Sequence, residues 1–429
     1  MDLFLISSSF FILMFLGVPI GTALGISAVV TIYMFDLGMG MLGINFSSGI
    51  ASFPLLAIPF FVLAGVILDK AGLAKTIARF FELLVGQATG GMAIVAVCTC
   101  MFWGALSGSG PATTAAVGLI LLAPMVKQEY DKSFSGALIA NSADLSIILP
   151  PSIAFIIYGN ITNVSVSALF VAGIVPGILT GIGTAFVAYF ISKKRGYRGQ
   201  TKRASAAEIL KALRESIWAI LAPVIILGGI YSGIFTPTEA AVVAVFYSLF
   251  VAVFIYRSIS FNDFLHLLVD ASVTSSVIMF LVAFAGIFTW TASVIGVVDR
   301  AAGFILSISP NAVIMIILVN ILLLGLGMVL DAISISYLIM PILIPVLGAF
   351  KIDPLWYGVI FISALAIGQA TPPVGVNLFT AANLSGESVD SIAKQAIPFI
   401  VMDVIILIIL SLFPELSLYL PVKAGLYTP

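Results

Sequence analysis

What most constrains this chain is a helix break placed where a bilayer would demand unbroken helix. Residues 90–126 run for 37 residues without a charge, and near their centre stands Ser107-Gly108-Ser109-Gly110-Pro111-Ala112-Thr113-Thr114. About 20 apolar residues cross a bilayer, so this run is too long for one simple span. Glycine leaves the backbone unconstrained and proline removes a donor, so Gly-Ser-Gly-Pro interrupts a helix instead of merely thinning it for close packing. Backbone groups freed at membrane depth are tolerated only where they are buried in protein or line a cavity. The economical arrangement is two half-length helices meeting at a tip, a re-entrant hairpin near 90–126. A second long apolar run, 311–349, is interrupted by Gly325, Gly327 and Asp331 and predicts a second hairpin.

The rest of the chain has the same character. It is 61% hydrophobic and 9% charged over 429 residues, which predicts an all-α polytopic membrane protein. The short alternating segments of a transmembrane barrel are missing. A net charge of −1 offers nothing to nucleic acid. Cys98 and Cys100 sit too close in one run for a helical disulfide and are too few for a metal centre. The single histidine, His266, reads as interfacial. No glycine loop for a nucleotide and no nucleophile–base arrangement stands out, which argues against direct ATP drive, an organic cofactor and an enzyme.

In chain order, residues 3–35 form one bent span or two short ones broken at Gly17-Val18-Pro19, and 36–49 read as a glycine-rich connection. Residues 50–68 are a span bent by Pro54 and Pro59. Residues 69–86 are amphipathic, with Lys75 and Arg79 four apart on one face. A span over 134–158 breaks around Leu149-Pro150-Pro151 and contains Asp144; another covers 164–192. Residues 193–215 form a basic loop, with eight of the 18 Lys and Arg between 193 and 214, which should stay cytoplasmic. Thr236-Pro237-Thr238-Glu239 reads as a capping box, which makes Thr236 and Glu239 structural caps, with a role in ion transport the alternative for Glu239. Spans follow at 217–235 and from the cap to Tyr256, spans or amphipathic segments at 264–289 and 293–308, and further spans at 354–382 (broken at Gln369-Ala370-Thr371-Pro372-Pro373) and 396–413.

The halves resemble each other. At an offset of 222 residues, Asp131 falls on Asp353, Pro150-Pro151 on Pro372-Pro373, and Pro176 on Pro398. This divides the chain into a first repeat, 1–192, and a second, 216–429, and two such repeats suggest a secondary transporter with a pseudo-symmetric core. Sodium needs several oxygen ligands, which hydroxyls, amides and carbonyls freed at helix breaks supply. The first repeat offers Ser107, Ser109, Asn141, Asp144, Thr113 and Ser152; the second offers Asp331, Gln369, Thr371, Ser334, Ser336 and Asn377. Of these, Thr113, Ser152, Ser334, Ser336 and Asn377 are candidates for the substrate's own groups. Asp144 and Asp331 are costly in lipid and functional by default, unless they face water at a helix end. With no arginine in the central segments, a carboxylate would be held by helix N-termini, hydroxyls, amides and the bound cation.

Gly17-Val18-Pro19-Ile20-Gly21, the Ser107–Thr114 stretch, Leu149-Pro150-Pro151-Ser152, Gly228-Gly229-Ile230, Thr236-Pro237-Thr238-Glu239-Ala240-Ala241 and Gly368-Gln369-Ala370-Thr371-Pro372-Pro373-Val374-Gly375 together resemble the large membrane subunit of tripartite ATP-independent periplasmic transporters, over nearly the whole chain. The resemblance implies the ion-transporter superfamily, inverted repeats with two re-entrant hairpins, and an elevator in which a mobile core slides against a scaffold. It implies sodium-driven import of an organic acid across the bacterial inner membrane, with at least two sodium ions. The family's sodium sites would fall on Ser107, Gly108, Ser109, Asn141 and Asp144, and on Gly325, Gly327, Asp331, Gln369 and Thr371. The implied partners are a small four-helix membrane subunit, here a separate polypeptide, and a soluble periplasmic substrate-binding protein. Both termini would be periplasmic. The wording is closest to the sialic acid branch; C4-dicarboxylate, keto-acid and other sugar-acid importers, a stand-alone sodium/carboxylate carrier and a membrane scaffold remain alternatives.

Overall fold

The computed structural model describes residues 2–199, 204–308 and 310–429, and every regular element among them is helical. Among the described residues eight helices are long and apolar enough to cross a membrane, or up to nine if a bent pair counts as one span. Large apolar side chains such as Leu119, Phe246, Val277 and Phe254 lie exposed on the outside, as lipid-facing surfaces require.

The first apolar run is two helices, α1 (Asp2–Phe15) and α2 (Ile20–Met34), because Gly17 takes a positive φ of 82° and Pro19 cannot continue α1. The expected connection over 36–49 is largely helical: α3 spans Gly40–Ile50. Within it Gly49 serves packing instead of a loop, since it lies against Ala283 and Gly286 on a later helix. Then come α4 (Ala57–Lys70) and α5 (Leu73–Val85). Helix α5 buries Leu73, Ala74, Ile77 and Ala78 and exposes Lys75 and Arg79, the latter paired with Glu82 at 3.1 Å.

The 90–126 run is α6 (Gly91–Ser107) and α7 (Gly110–Lys127), separated by Gly108 at φ 62° and an extended Ser109. The span after it is in pieces: α8 (Lys132–Ser142), α9 (Leu145–Ile148) and α10 (Ile153–Thr162), with the Pro150-Pro151 peptide cis between the last two. Helices α11 (Val166–Ala172) and α12 (Ile174–Arg195) complete the first half. The basic stretch is less of a loop than its sequence suggests. Lys193, Lys194 and Arg195 form the last turn of α12, where cations suit the helix dipole. Lys211 and Arg214 lie on α13 (Ala206–Tyr231), while Lys202 and Arg203 fall outside the described residues.

Helix α14 (Pro237–Phe250) starts at the reciprocal cap: Glu239 N–H donates to Thr236 Oγ1 and the Glu239 carboxylate accepts from Thr236 N–H at 2.8 Å. The two segments read at 264–289 and 293–308 are two helices, the 34-residue α15 (Phe261–Val294) and the shorter α16 (Val297–Ile308). The second interrupted run is α17 (Ala312–Gly327) and α18 (Ala332–Ala349). Then α19 (Pro354–Gln369) and α20 (Val376–Ser385) flank a cis Pro372-Pro373 peptide, α21 (Val389–Leu412) follows, and α22 (Glu415–Lys423) is a terminal helix.

Positions 222 residues apart carry the same local structure. Asp131 caps α8 by accepting from Phe134 N–H, and Asp353 caps α19 by accepting from Leu355 and Trp356 N–H. Both proline pairs are cis and both precede a short helix. The most deeply buried elements are α8–α9 and α19, which are covered on all sides; α7, α20 and α21 pack around α8. The interior of the molecule is therefore built from the two broken helices.

Candidate transport site

A cavity of about 630 Å³ lies where the two interrupted runs face the broken helices. The α6–α7 tip contributes Ser107, Gly108 and Ser109, the start of α18 contributes Asp331, and Gln369 comes from the end of α19. The opposite wall is α4, with Gly65 and Asp69, and α15, with Thr274. Residues far apart in sequence thus meet at one opening, and among the described residues no Lys, Arg or His lines it.

The two tips have opposite electrostatic character. At the first, α7 begins without any side-chain cap; Ser109 is extended and Ser107 Oγ is turned to Thr113 Oγ1 at 2.6 Å. The N-terminal end of α7 therefore presents its partial positive charge to the cavity. At the second, Asp331 caps α18: one carboxylate oxygen accepts from Ile333 and Ser334 N–H at 3.0 Å, and the other from Ser334 Oγ at 2.5 Å. This is the water-facing helix-end alternative for Asp331, yet the carboxylate also lines the cavity.

The second tip is locked to its broken helix by backbone. Gly375 N–H donates to Met328 O at 3.0 Å, and a Cβ on Gly368 would lie 2.6 Å from the Gly327 Cα. Only glycine at both positions lets α17 and α19 touch so closely. Gly325, by contrast, is exposed with open space beside it. Thr371 Oγ1 donates to Ile367 O at 2.6 Å.

Among the candidates for substrate groups, Thr113, Ser152, Ser334, Ser336 and Asn377 do not line the cavity. Ser336 donates back to Ala332 O, and Ser152 caps α10 while donating to Ile147 O at 2.6 Å. Asn377 is wholly buried behind the first tip. Its Nδ2 donates to Asp144 Oδ1 at 2.8 Å, and Asn141 Nδ2 donates to Asp403 Oδ2 at 2.7 Å. Asp403, Asp69 and Thr274 were not singled out from sequence. A signal existed for Asp403: it is a lone acid inside the apolar run 396–413, which marks a functional position by default.

A multi-helix membrane protein whose helix breaks converge on a cavity has the construction of a solute-passing protein, because neither an anchor nor a scaffold has use for such breaks. The comparison with known proteins gives the family. The family model for the DctM component of tripartite ATP-independent periplasmic transporters matches residues 8–416, and the chain belongs to that family; it is a transporter component and not an enzyme. The isethionate TRAP transporter permease DctMQ of Oleidesulfovibrio alaskensis is 37% identical over 96% of this chain; the chain spans 65% of that relative's length. The C4-dicarboxylate large permease DctM of Pseudomonas aeruginosa is 37% identical over 94% of this chain and 95% of its own. The sialic acid large permease SiaM of Vibrio cholerae is 36% identical over 95% and 96%. The crystal structure of the Alcanivorax borkumensis YdaH transporter shares the fold, with a TM-score of 0.62 at 14% identity over 89% of this chain and 88% of that one.

Proposed function

We propose that this chain is the carrier through which an organic acid anion enters the cell across the bacterial inner membrane, driven by sodium. The observation that carries the reading is the uncapped N-terminus of α7 facing a cavity that, among the described residues, no basic side chain lines. An anion there rests on helix dipole and amides, while the carboxylates of Asp331 and Asp69 on the same walls favour a cation close by. A cation and an anion that share a site raise each other's affinity, which is the thermodynamic content of coupling.

The residues fit sodium. Hydroxyls and backbone carbonyls gather at Ser107–Ser109, and the Gly325–Asp331 break with Thr371 offers the same donor types. Bound there, sodium would supply positive charge beside the anion. The substrate we propose is sialic acid, whose size suits the cavity; C4-dicarboxylates are next. Relatives at nearly equal identity bear the names of isethionate, C4-dicarboxylates and sialic acid, so the shared chemistry is an acid group on a small polar body. A soluble periplasmic binding protein delivers it, and a small four-helix membrane subunit completes the assembly. The cationic end of α12 faces the cytoplasm and both termini the periplasm. The 222-residue offset supports two repeats, which we read as inverted, each with a re-entrant hairpin, around an elevator-type core.

The test is uptake of labelled sialic acid into proteoliposomes holding this chain and a small subunit, with binding protein outside. Uptake only with both sodium and binding protein is the expected result. Uptake without binding protein would make the chain a stand-alone carrier, and uptake without sodium would remove the coupling ion.

A further inference from the structure

The wall opposite the two tips is one face of α4 and one face of α15. Val62, Gly65 and Asp69 recur at helical spacing along α4, and Val273, Thr274 and Val277 do the same on α15. Among the described residues Asp69 is the one charged side chain on that wall. It is exposed, not packed away. Its neighbour Lys70 is turned to Asp263, at the start of α15, at 3.5 Å. Among the described residues no side-chain hydrogen bond or ion pair holds the Asp69 carboxylate. Asp331, the other acid at the cavity, is different: both of its oxygens are engaged by the first turn of α18.

A free carboxylate on the wall acts on whatever enters. A compact space of about 630 Å³ is about 10 Å across, close to the distance over which salt screens a charge. The apolar walls lengthen that reach. The protein's own positive feature is the uncapped N-terminus of α7, worth about half an elementary charge. That suits one acid group and leaves nothing for a second. Bound sodium is supplied to either kind of acid alike, so it does not tell them apart. A second acid group would therefore share the space with Asp69 and Asp331 and meet no cationic side chain.

We propose that Asp69 is a specificity-determining residue that restricts the cavity to acids of single negative charge, a monocarboxylate or monosulfonate on a neutral polar body, and disfavours dicarboxylates. The inference rests on the transport reading and narrows its substrate class. Asp69 acts through charge alone, since it holds no contact that orients a ligand. Coulomb repulsion scales with the charge on the ligand, so a dianion is penalised twice as much in free energy as a monoanion at the same place.

The test is equilibrium binding of succinate, its monoamide and sialic acid to this chain with a small subunit in lipid nanodiscs, at saturating sodium. The first two share a skeleton and differ by one charge. The wild type should bind the monoamide more tightly than succinate, a comparison that depends on no variant. Asp69→Asn should tighten the monoamide and sialic acid about threefold and succinate about tenfold. Those gains should shrink when choline chloride raises the ionic strength, which screens charge and leaves packing alone. Asp69→Glu should bring back the wild-type order of the two C4 acids. A wild type that prefers succinate to its monoamide would overturn the inference and leave the transport reading standing. So would an Asp69→Asn chain that tightens all three acids equally, or none of them. Binding of none of the three acids to either chain would overturn both.

Discussion

At Gly368 and Gly327 two backbones touch, and no side chain can be added without moving a helix. Gly368→Ala should therefore act as an overpacking change, costing about 1–3 kcal/mol, and lower the melting temperature by several degrees. Gly348→Ala is the matched control, because nothing lies within 4 Å of that position and alanine favours helix. Equal losses in the two variants would refute the contact. Glu239 is a different kind of residue: its carboxylate is spent on the Thr236 backbone and hydroxyl at the start of α14. Glu239→Ala should reduce the yield of folded protein and leave the sodium concentration for half-maximal uptake unchanged, as measured after normalising to monodisperse protein. Altered sodium activation in a stable variant would move Glu239 into the transport machinery.

At the scale of elements, function concentrates at ends and breaks of helices. Helix α18 shows why. Asp331 is both the cap of α18 and a wall of the cavity, so one substitution cannot separate the roles. Asparagine caps about as well as aspartate but carries no charge. Asp331→Asn should thus fold like the wild type and need about tenfold more sodium for half-activation, equivalent to about 1.4 kcal/mol. Asp331→Ala should lose the cap as well, at about 1 kcal/mol, and show lower thermal stability in addition. If Asp331→Asn activates normally, the carboxylate is a cap and nothing more. The break between α6 and α7 has no such capping acid, so the two ends of the cavity differ in charge.

For the whole molecule, the contrast is between the wall formed by α4 and α15 and the broken-helix core. Thr289 on α15 donates to Tyr337 O on α18 at 3.0 Å, so scaffold and proposed moving part touch there. If the core slides, a short thiol cross-linker between cysteines at 289 and 337, in a chain with Cys98 and Cys100 replaced, should abolish sialic acid uptake. A reducible linker should restore it on cleavage. Uptake that persists with complete cross-linking would rule out sliding at this surface.

Much of this was legible from the chain alone, because its causes are local. Apolar run length sets membrane crossing, Gly108 and Pro111 set the first break, and Thr236 with Glu239 writes its own cap within four residues. The capping acids Asp131 and Asp353 and the two proline pairs are equally local, which is why the 222-residue offset could be read without coordinates. The limit shows at Gly49, which in sequence belongs to a glycine-rich connection, yet a facing helix gives it a packing role. What only the tertiary structure decided is which polar groups converge. Asn377 meets Asp144 across 233 residues, and Asn141 meets Asp403 across 262. No spacing rule links such positions, since their meeting depends on how α8, α20 and α21 pack once the helices are buried against one another.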